Sequence, residues 1–236
     1  MNVNSEQWHR TVIEGARALG VDVSLDQART MGLHAAELLL WNRSVNLTAI
    51  TEPLAVAVKH YVDSLAALSL LGEAKRVLDA GSGGGFPGIP LKISRPGLSL
   101  TMVDSVRKKI SFLKHAVRTL GLREVDAVHG RLEAMGRHPD YCGRFDLVIC
   151  RAFASLDDFA ARTVAFLAPG GCLIALKGPQ PDPCEEADAG TGEKRVIQLG
   201  GASFSIQVHR YTLPTLDSQR RLVRLTPLAG EGVYKS

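Results

Sequence analysis

The chain has 236 residues, 45% of them hydrophobic and 22% charged, with a formal net charge of +4. That is enough for one well-buried α/β domain with an extra helical segment, and the mild basicity permits a nucleic-acid partner without requiring one. No apolar run approaches the ~18 residues a membrane span needs, Met1 to Gln7 lacks a charged-then-apolar signal pattern, and the four cysteines (Cys142, Cys150, Cys172, Cys184) form no C-x-x-C pair. These features predict a cytoplasmic protein with reduced thiols, no metal site and no membrane anchor.

Residues 1–74 read as an N-terminal helical segment packed on the core, and residues 75–236 as the α/β domain. Ser24-Leu25-Asp26-Gln27 is a capping-box signature, followed by Ala28, Met31, Ala35, Leu38 and Leu39 at helical spacing. From Trp41 to Thr48 the helical period is lost and a polar loop is expected. Thr51-Glu52-Pro53 opens another helix, with Thr51 as the cap and proline in the first turn, and helix continues from Tyr61 to Leu71.

Beyond Arg76, strands alternate with helices. Strands are expected at 76–80, 98–103, 125–129, 145–150 and 171–177. Ile110, Leu113, Val117 and Leu120 mark an intervening helix face stopped by Gly121, and Ser155 caps a later helix facing inward through Phe159, Thr163 and Phe166. Such alternation predicts a parallel sheet covered on both faces, with ligands at the carboxyl ends of its strands. Gly178 to Glu193, rich in proline, glycine and acids, reads as a loop or flap, with Glu185-Glu186-Ala187-Asp188 a solvated surface. Phe204, Ile206 and Val208 alternate as in a half-exposed strand, Thr215 to Ser218 turns, and Leu222 to Leu225 returns as a last strand.

The chemistry concentrates in Val77-Leu78-Asp79-Ala80-Gly81-Ser82-Gly83-Gly84-Gly85-Phe86-Pro87-Gly88. This is a buried strand, a glycine turn and a helix start, an arrangement that brings bare backbone close to a polar ligand. Asp104 ends the next apolar strand, roughly 20 residues on, where nucleotide-binding α/β units place a carboxylate on a ribose. A dinucleotide fingerprint can be drawn through Gly83, Gly85 and Gly88, but it begins late, inside the turn. The register directly after the strand, Gly81-x-Gly83-x-Gly85 with Asp79 two residues earlier, resembles motif I of class I S-adenosylmethionine methyltransferases. The same residues also admit structural readings. Asp104 could cap the helix starting near Val106, Phe86 could be core, Glu133 an exposed helix residue, and Arg151 and Lys177 members of ion pairs.

Further motifs occur in order: Asn46-Leu47-Thr48-Ala49-Ile50, His60-Tyr61-Val62-Asp63-Ser64-Leu65, Val103-Asp104-Ser105, Arg151-Ala152-Phe153-Ala154 and Ala175-Leu176-Lys177-Gly178. Together with the glycine loop they resemble the small-subunit ribosomal RNA guanine-N7 methyltransferase G family, also called glucose-inhibited division protein B, from about Trp41 to Arg224. The resemblance implies a Rossmann-like class I methyltransferase sheet, S-adenosylmethionine as cofactor with S-adenosylhomocysteine as product, and 16S ribosomal RNA or the 30S subunit as partner; a monomer is expected. It implies cofactor contacts at Gly81, Phe86, Leu132, Glu133 and Arg151, beside Gly83, Gly85 and Asp104 from the loop reading, and RNA contacts at Asn46, His60 and Arg131, beside Lys108 and Lys177, which are RNA candidates by charge and position. Arg151 and Lys177, at the mouths of two neighbouring strands, are the catalytic candidates. Arg107-Lys108-Lys109 places cations at a helix start, against the helix dipole, so a phosphate-facing role competes with a solvated face. Arg220-Arg221-Leu222 stands where family members commonly show Arg-His-Leu, which leaves RNA contacts at that edge open.

Guanine N7 carries an in-plane lone pair and no proton, so its methylation needs positioning and electrostatics and no general base. In keeping with this, neither an Asn/Asp-Pro-Pro-Tyr/Phe motif nor a Pro-Cys pair of the C5-cytosine kind follows the fourth strand. Cys150, at a strand end, reads as packing. The competing readings are a class I methyltransferase for a small molecule or protein, an NAD-dependent oxidoreductase, and a non-catalytic RNA-binding protein with a vestigial cofactor fold.

Overall fold

The computed structural model describes residues 2–151, 153–180 and 195–228. Most of the expected flap, with Cys184 and the Glu185–Asp188 run, lies outside the described residues, as does Ala152. Two helices come first, α1 (Glu6–Ala18) and α2 (Leu25–Val45). Next is a composite helical run: α3 (Pro53–Val56), a π-helical turn (Ala57–Val62), α4 (Asp63–Leu65) and a 3-10 turn (Ala66–Leu70). The α/β part follows as β1 (Arg76–Ala80), α5 (Gly88–Ser94), β2 (Ser99–Asp104), α6 (Arg107–Thr119), β3 (Val125–His129), α7 (Leu132–Met135), β4 (Phe145–Cys150), α8 (Leu156–Thr163) and β5 (Leu167–Lys177). It closes with β6 (Arg195–Leu199), β7 (Ala202–Leu213) and β8 (Ser218–Pro227).

All eight strands form one sheet in the order β3-β2-β1-β4-β5-β8-β7-β6. The first five in that order are mutually parallel and the last three antiparallel. Val77, Leu78, Leu147, Val148 and Ile149 are fully buried, as strands covered on both faces require. One apolar cluster packs α1, α2, the π-helical turn, α5 and α6 against one face through Trp8, Leu38, Tyr61 and Phe112. The other face is covered by α7 and α8 through Leu132, Leu156 and Phe159. The N-terminal helices therefore share a core with the sheet.

The five parallel strands fall where the apolar runs place them. The capping box at Ser24 and Gln27 is formed, and Ser155 caps α8 by accepting from the Asp158 N–H. Three expectations differ. Helix α2 runs on to Val45, past Trp41, because Trp41 packs its ring near Phe112 and His115. Glu52 and not Thr51 caps α3, its two carboxylate oxygens accepting from Leu54 and Ala55 N–H. Finally, three antiparallel strands close the sheet where two were expected. The additional β6 pairs with β7 through the register Leu199↔Ala202 across Gly200-Gly201, both at positive φ (57° and 80°), the backbone a two-residue hairpin turn demands.

Leu38 is fully buried and lies under the glycine loop, where a Cβ on Gly84 would come within 2.7 Å of its Cδ1. Leu38→Ala is expected to cost about 2–5 kcal/mol of stability. Urea transitions followed by far-UV circular dichroism and by the fluorescence of buried Trp8 should move together. A separate, earlier Trp8 transition would show that the N-terminal helices unfold on their own.

Candidate functional site

The carboxyl ends of the parallel strands carry two adjoining recesses. The larger, about 650 Å³, is lined by Gly81 after β1, Asp104 and Val106 after β2, and Gly130 to Glu133 after β3, with Phe153 and Ala154 closing one side. Its volume lies within the ~300–1,000 Å³ common to small-molecule sites. Gly81 has φ 75° and donates its N–H to Val103 O at 2.8 Å, which holds the loop against the end of β2. Asp104, only 7% exposed, accepts from Gly83 N–H at 3.1 Å and from Val106 N–H at 2.8 Å, with Lys109 Nζ at 3.9 Å. It is thus both a loop tie and a carboxylate at the cavity rim, so the capping and ligand readings of Asp104 meet in one residue.

Val106 keeps 43% of its surface exposed and lines this cavity together with Leu132. Two apolar groups and an acidic rim suit a flat heterocycle carrying a diol. Glu133, also lining the cavity, pairs with Arg162 Nη1 at 2.8 Å.

The smaller recess, about 280 Å³, is lined by Lys59, His60, Asp63, Arg151, Lys177 and Arg220 among others. The two recesses share a wall, because Lys177 Nζ donates to Phe153 O and Ala154 O, each at 3.1 Å. Arg151 donates from Nη1 to Lys59 O at 3.1 Å and from Nη2 to His60 Nδ1 at 2.9 Å. Its guanidinium carbon lies 4.9 Å from the Phe86 ring centre. Since arginine is always a donor, His60 Nδ1 is the acceptor, and Nε2 carries the proton donated to Thr48 Oγ1 at 2.8 Å.

The His60 ring stacks on Phe86 at 4.5 Å and 17°. Burial, then the Arg151 charge, push its pKa down to about 3, so it is neutral at pH 7. Asp79 beneath the loop accepts from Gly88 N–H at 2.8 Å, and burial raises its pKa to about 7 against the pull of that N–H and of Arg151. Across the recess, Asp63 Oδ1 accepts from Tyr211 OH at 2.7 Å and faces Arg220 Nε at 3.5 Å.

Comparison with known proteins agrees with this geometry. The family model described as rRNA small subunit methyltransferase G matches residues 27–206. The chain belongs to this family. Proteins named ribosomal RNA small subunit methyltransferase G from Geobacter sulfurreducens and Myxococcus xanthus are each 41% identical to it. They align over 92% and 93% of this chain and 96% and 97% of their own. Among solved structures, an O-methyltransferase from Bacillus cereus superimposes with a TM-score of 0.53 at 15% identity, over 82% of this chain and 90% of that one. That likeness supports the class I methyltransferase fold.

In this chain Gly81, Asp104, Leu132, Glu133 and Arg131 meet at the large cavity. His60, Arg151 and Lys177 meet at the small one. Five expected site residues lie elsewhere, among them Gly83, whose N–H is bound to Asp104 Oδ2. Phe86 is 4% exposed and does not line the large cavity; it is the platform for His60 and Arg151. Gly85 (φ 88°) shapes the loop, since a Cβ there would come within 2.5 Å of Ile89 Cδ1. Lys108 is exposed on α6, whereas its neighbour Lys109 turns to Asp104. Asn46 sits at the end of α2 with φ 47°, and Asn42 ties that turn by accepting from the Leu47 and Thr48 N–H groups. Arg221 tethers the chain beyond β5, donating to Gly178 O at 2.8 Å and to Gln180 O.

The contact of Asp63 with Tyr211 and Arg220 was not foreseen from sequence. Asp63 stood inside a quoted motif, but nothing local signals a bond to a tyrosine 148 positions away. Among the described residues no group of three His, Cys, Asp or Glu side chains is arranged to hold a metal, and no helix is long and apolar enough to cross a membrane.

The folded-state pKa of His60 lies below histidine's ordinary 6.5. The stability tied to its neutral form is therefore complete above about pH 6.5 and is lost as the pH falls toward 3. His60→Gln should flatten the fall of unfolding free energy between about pH 6 and 4 by up to about 1.4 kcal/mol per pH unit, the slope of one proton. Urea titrations at half-unit pH steps measure this. An unchanged slope would mean that His60 is protonated in the folded protein.

Proposed function

We propose that this chain transfers a methyl group from S-adenosylmethionine to N7 of a guanine in 16S ribosomal RNA, acting in the cytoplasm as a monomer. The observation that carries the reading is the pair of adjoining recesses at the strand ends. One has an acidic rim and apolar walls, the other is lined by cations, and Lys177 of the second donates to Phe153 O and Ala154 O of the first. The residues present fit the cofactor: Asp104 would accept from the ribose hydroxyls, Val106 and Leu132 would flank the adenine, and Gly81 would let the amino-acid end pass along the loop. When bound, the cofactor supplies a methyl group activated on a sulfonium.

Gly83 and Gly85 act at one remove, by holding the loop in its curve. Phe86 fixes Arg151. Arg151 and Lys177 present positive charge at the shared wall, where an RNA phosphate or the guanine O6 edge would be held. His60, buried and neutral, orients Arg151 and takes no proton from the substrate. Arg131 and exposed Lys108 are placed to meet phosphates beyond the recess. In-line transfer to a lone pair calls for neither a metal nor a base.

Two measurements test the reading. Small-subunit RNA from cells with and without this protein, probed by reduction and aniline scission, should differ at one N7-methylguanosine. Absence of any difference would remove the guanine-N7 assignment. By calorimetry, Asp104→Ala should weaken S-adenosylhomocysteine binding on the order of tenfold to a hundredfold, the loss of hydrogen bonds to a charged acceptor. An unchanged affinity would make Asp104 a loop tie alone.

Methyl transfer to 30S particles should also weaken steeply with added salt, through counterion release. Lys108→Glu should raise the RNA Michaelis constant and leave S-adenosylhomocysteine affinity alone. Salt-independent transfer would point to an acceptor other than RNA.

A further inference from the structure

We propose that the Asp63 carboxylate is the group that selects guanine, with Oδ2 accepting the N1–H and N2–H of the flipped-in base while N7 faces the large cavity. This assignment rests on the guanine-N7 reading above and adds the residue that recognises the base. Among the described residues Asp63 is the one acid lining the smaller recess, against four cations, Lys59, Arg151, Lys177 and Arg220. It is 5% exposed, and its Oδ1 is held by Tyr211 OH and by Arg220 Nε. Oδ2 has no hydrogen-bond partner among the described residues. Burial raises the pKa of this carboxyl against the hydrogen bond from Tyr211 and the charges of Arg151 and Arg220, so its ionised form gains from every further donor it meets. A recess of about 280 Å³ is of the size to take one base.

The chemistry of the acceptor requires such a group. Adenine and guanine both carry an N7 lone pair. They differ on the opposite edge, where guanine offers the N1–H and N2–H donors and adenine an acceptor. Cations alone would engage the O6/N7 edge and cover the reacting lone pair. A carboxylate on the far edge turns N7 outward and rejects adenine, which would set an acceptor against an acceptor.

The same contact helps the transfer itself. The N7 lone pair forms the N–CH3 bond as the S–CH3 bond breaks, its electron pair staying on sulfur. No proton leaves, and the positive charge passes from the sulfonium to the guanine ring. The N1–H becomes a stronger donor as that charge arrives, so its bond to Asp63 is stronger in the transition state than in the ground state. Four cations around the base would by themselves oppose this charge movement, and Asp63 offsets them.

The test uses small-subunit RNA carrying guanosine or inosine, which lacks the 2-amino group, at the nucleotide mapped by scission. Wild-type protein should lose about tenfold to a hundredfold in single-turnover kcat/KM on the inosine RNA. Asp63→Asn keeps an oxygen for Tyr211 and presents an amide to the base. It should lose about a hundredfold or more on guanosine RNA, treat guanosine and inosine about equally, and bind S-adenosylhomocysteine as wild type does. If Asp63→Asn fails to melt cooperatively, Asp63→Ser, which keeps a hydroxyl toward Tyr211, gives the same readout. Equal wild-type rates on the two RNAs, or a wild-type preference retained in the variant, would overturn the assignment. A wild-type protein that methylates no guanosine RNA would instead overturn the parent reading.

Discussion

The Arg151 guanidinium lies between the Lys59 carbonyl, the His60 ring and the face of Phe86. Taking so large a cation out of water costs several kcal/mol unless hydrogen bonds and opposite charge offset the loss. Burial lowers its pKa, and the carboxylates of Asp63 and Asp79 act in the other direction. These partners come from four parts of the chain: Phe86 from the glycine loop, Asp79 from the strand before it, Lys59 and His60 from the π-helical turn, and Asp63 from α4. Their common requirement is that one charge be satisfied in one place, which sets the π-helical turn against the glycine loop within the apolar core shared by the N-terminal helices and the sheet. The aromatic cluster follows from it, with Tyr61 edge-on to Phe86 at 5.2 Å and hydrogen-bonded to His34 at 2.8 Å.

The two recesses differ in electrostatic character because they serve different elements. Asp104 ends a strand and is tied by backbone N–H groups, so its charge is held by dipoles and by Lys109 at a distance. The small recess gathers its cations from four separate elements, the π-helical turn, the ends of β4 and β5, and β8. Among the hydrogen bonds that hold them, Lys177 donates to the Phe153 and Ala154 carbonyls, and Arg151 to the Lys59 carbonyl and a neutral histidine.

Much of the parallel sheet was legible in the sequence, because Val77 to Ala80 or Phe145 to Cys150 are short apolar runs bounded by polar turns, and burial on both faces leaves them no other reading. The glycine loop and Asp104 were legible for a similar reason, since positive φ and strand-end position are local properties. Strand β6 was overlooked although Ile197 and Leu199 alternate before Gly200-Gly201, because a low-hydrophobicity stretch precedes it and its Val196 faces outward. The position of Phe86 could not be read, as an apolar residue in a ligand loop points either to the ligand or to the core, and only the ring of His60 decides. The Asp63–Tyr211–Arg220 contact joins a helix to the far hairpin, and no spacing rule reaches across that distance.

The π-helical turn at Ala57–Val62 has a consequence for how this fold varies among its relatives. Such a turn holds one residue more per hydrogen-bonded ring than an α-helix. Removing any single residue from it would restore ordinary helical pairing and rotate one flank about 100° relative to the other. Lys59 and His60 could then no longer meet Arg151 while Asp63 met Tyr211. An alignment gap inside these six positions would therefore mark a relative whose small recess is built from other side chains. A gap at the Gly200-Gly201 hairpin, at the far edge of the sheet, would leave that recess untouched.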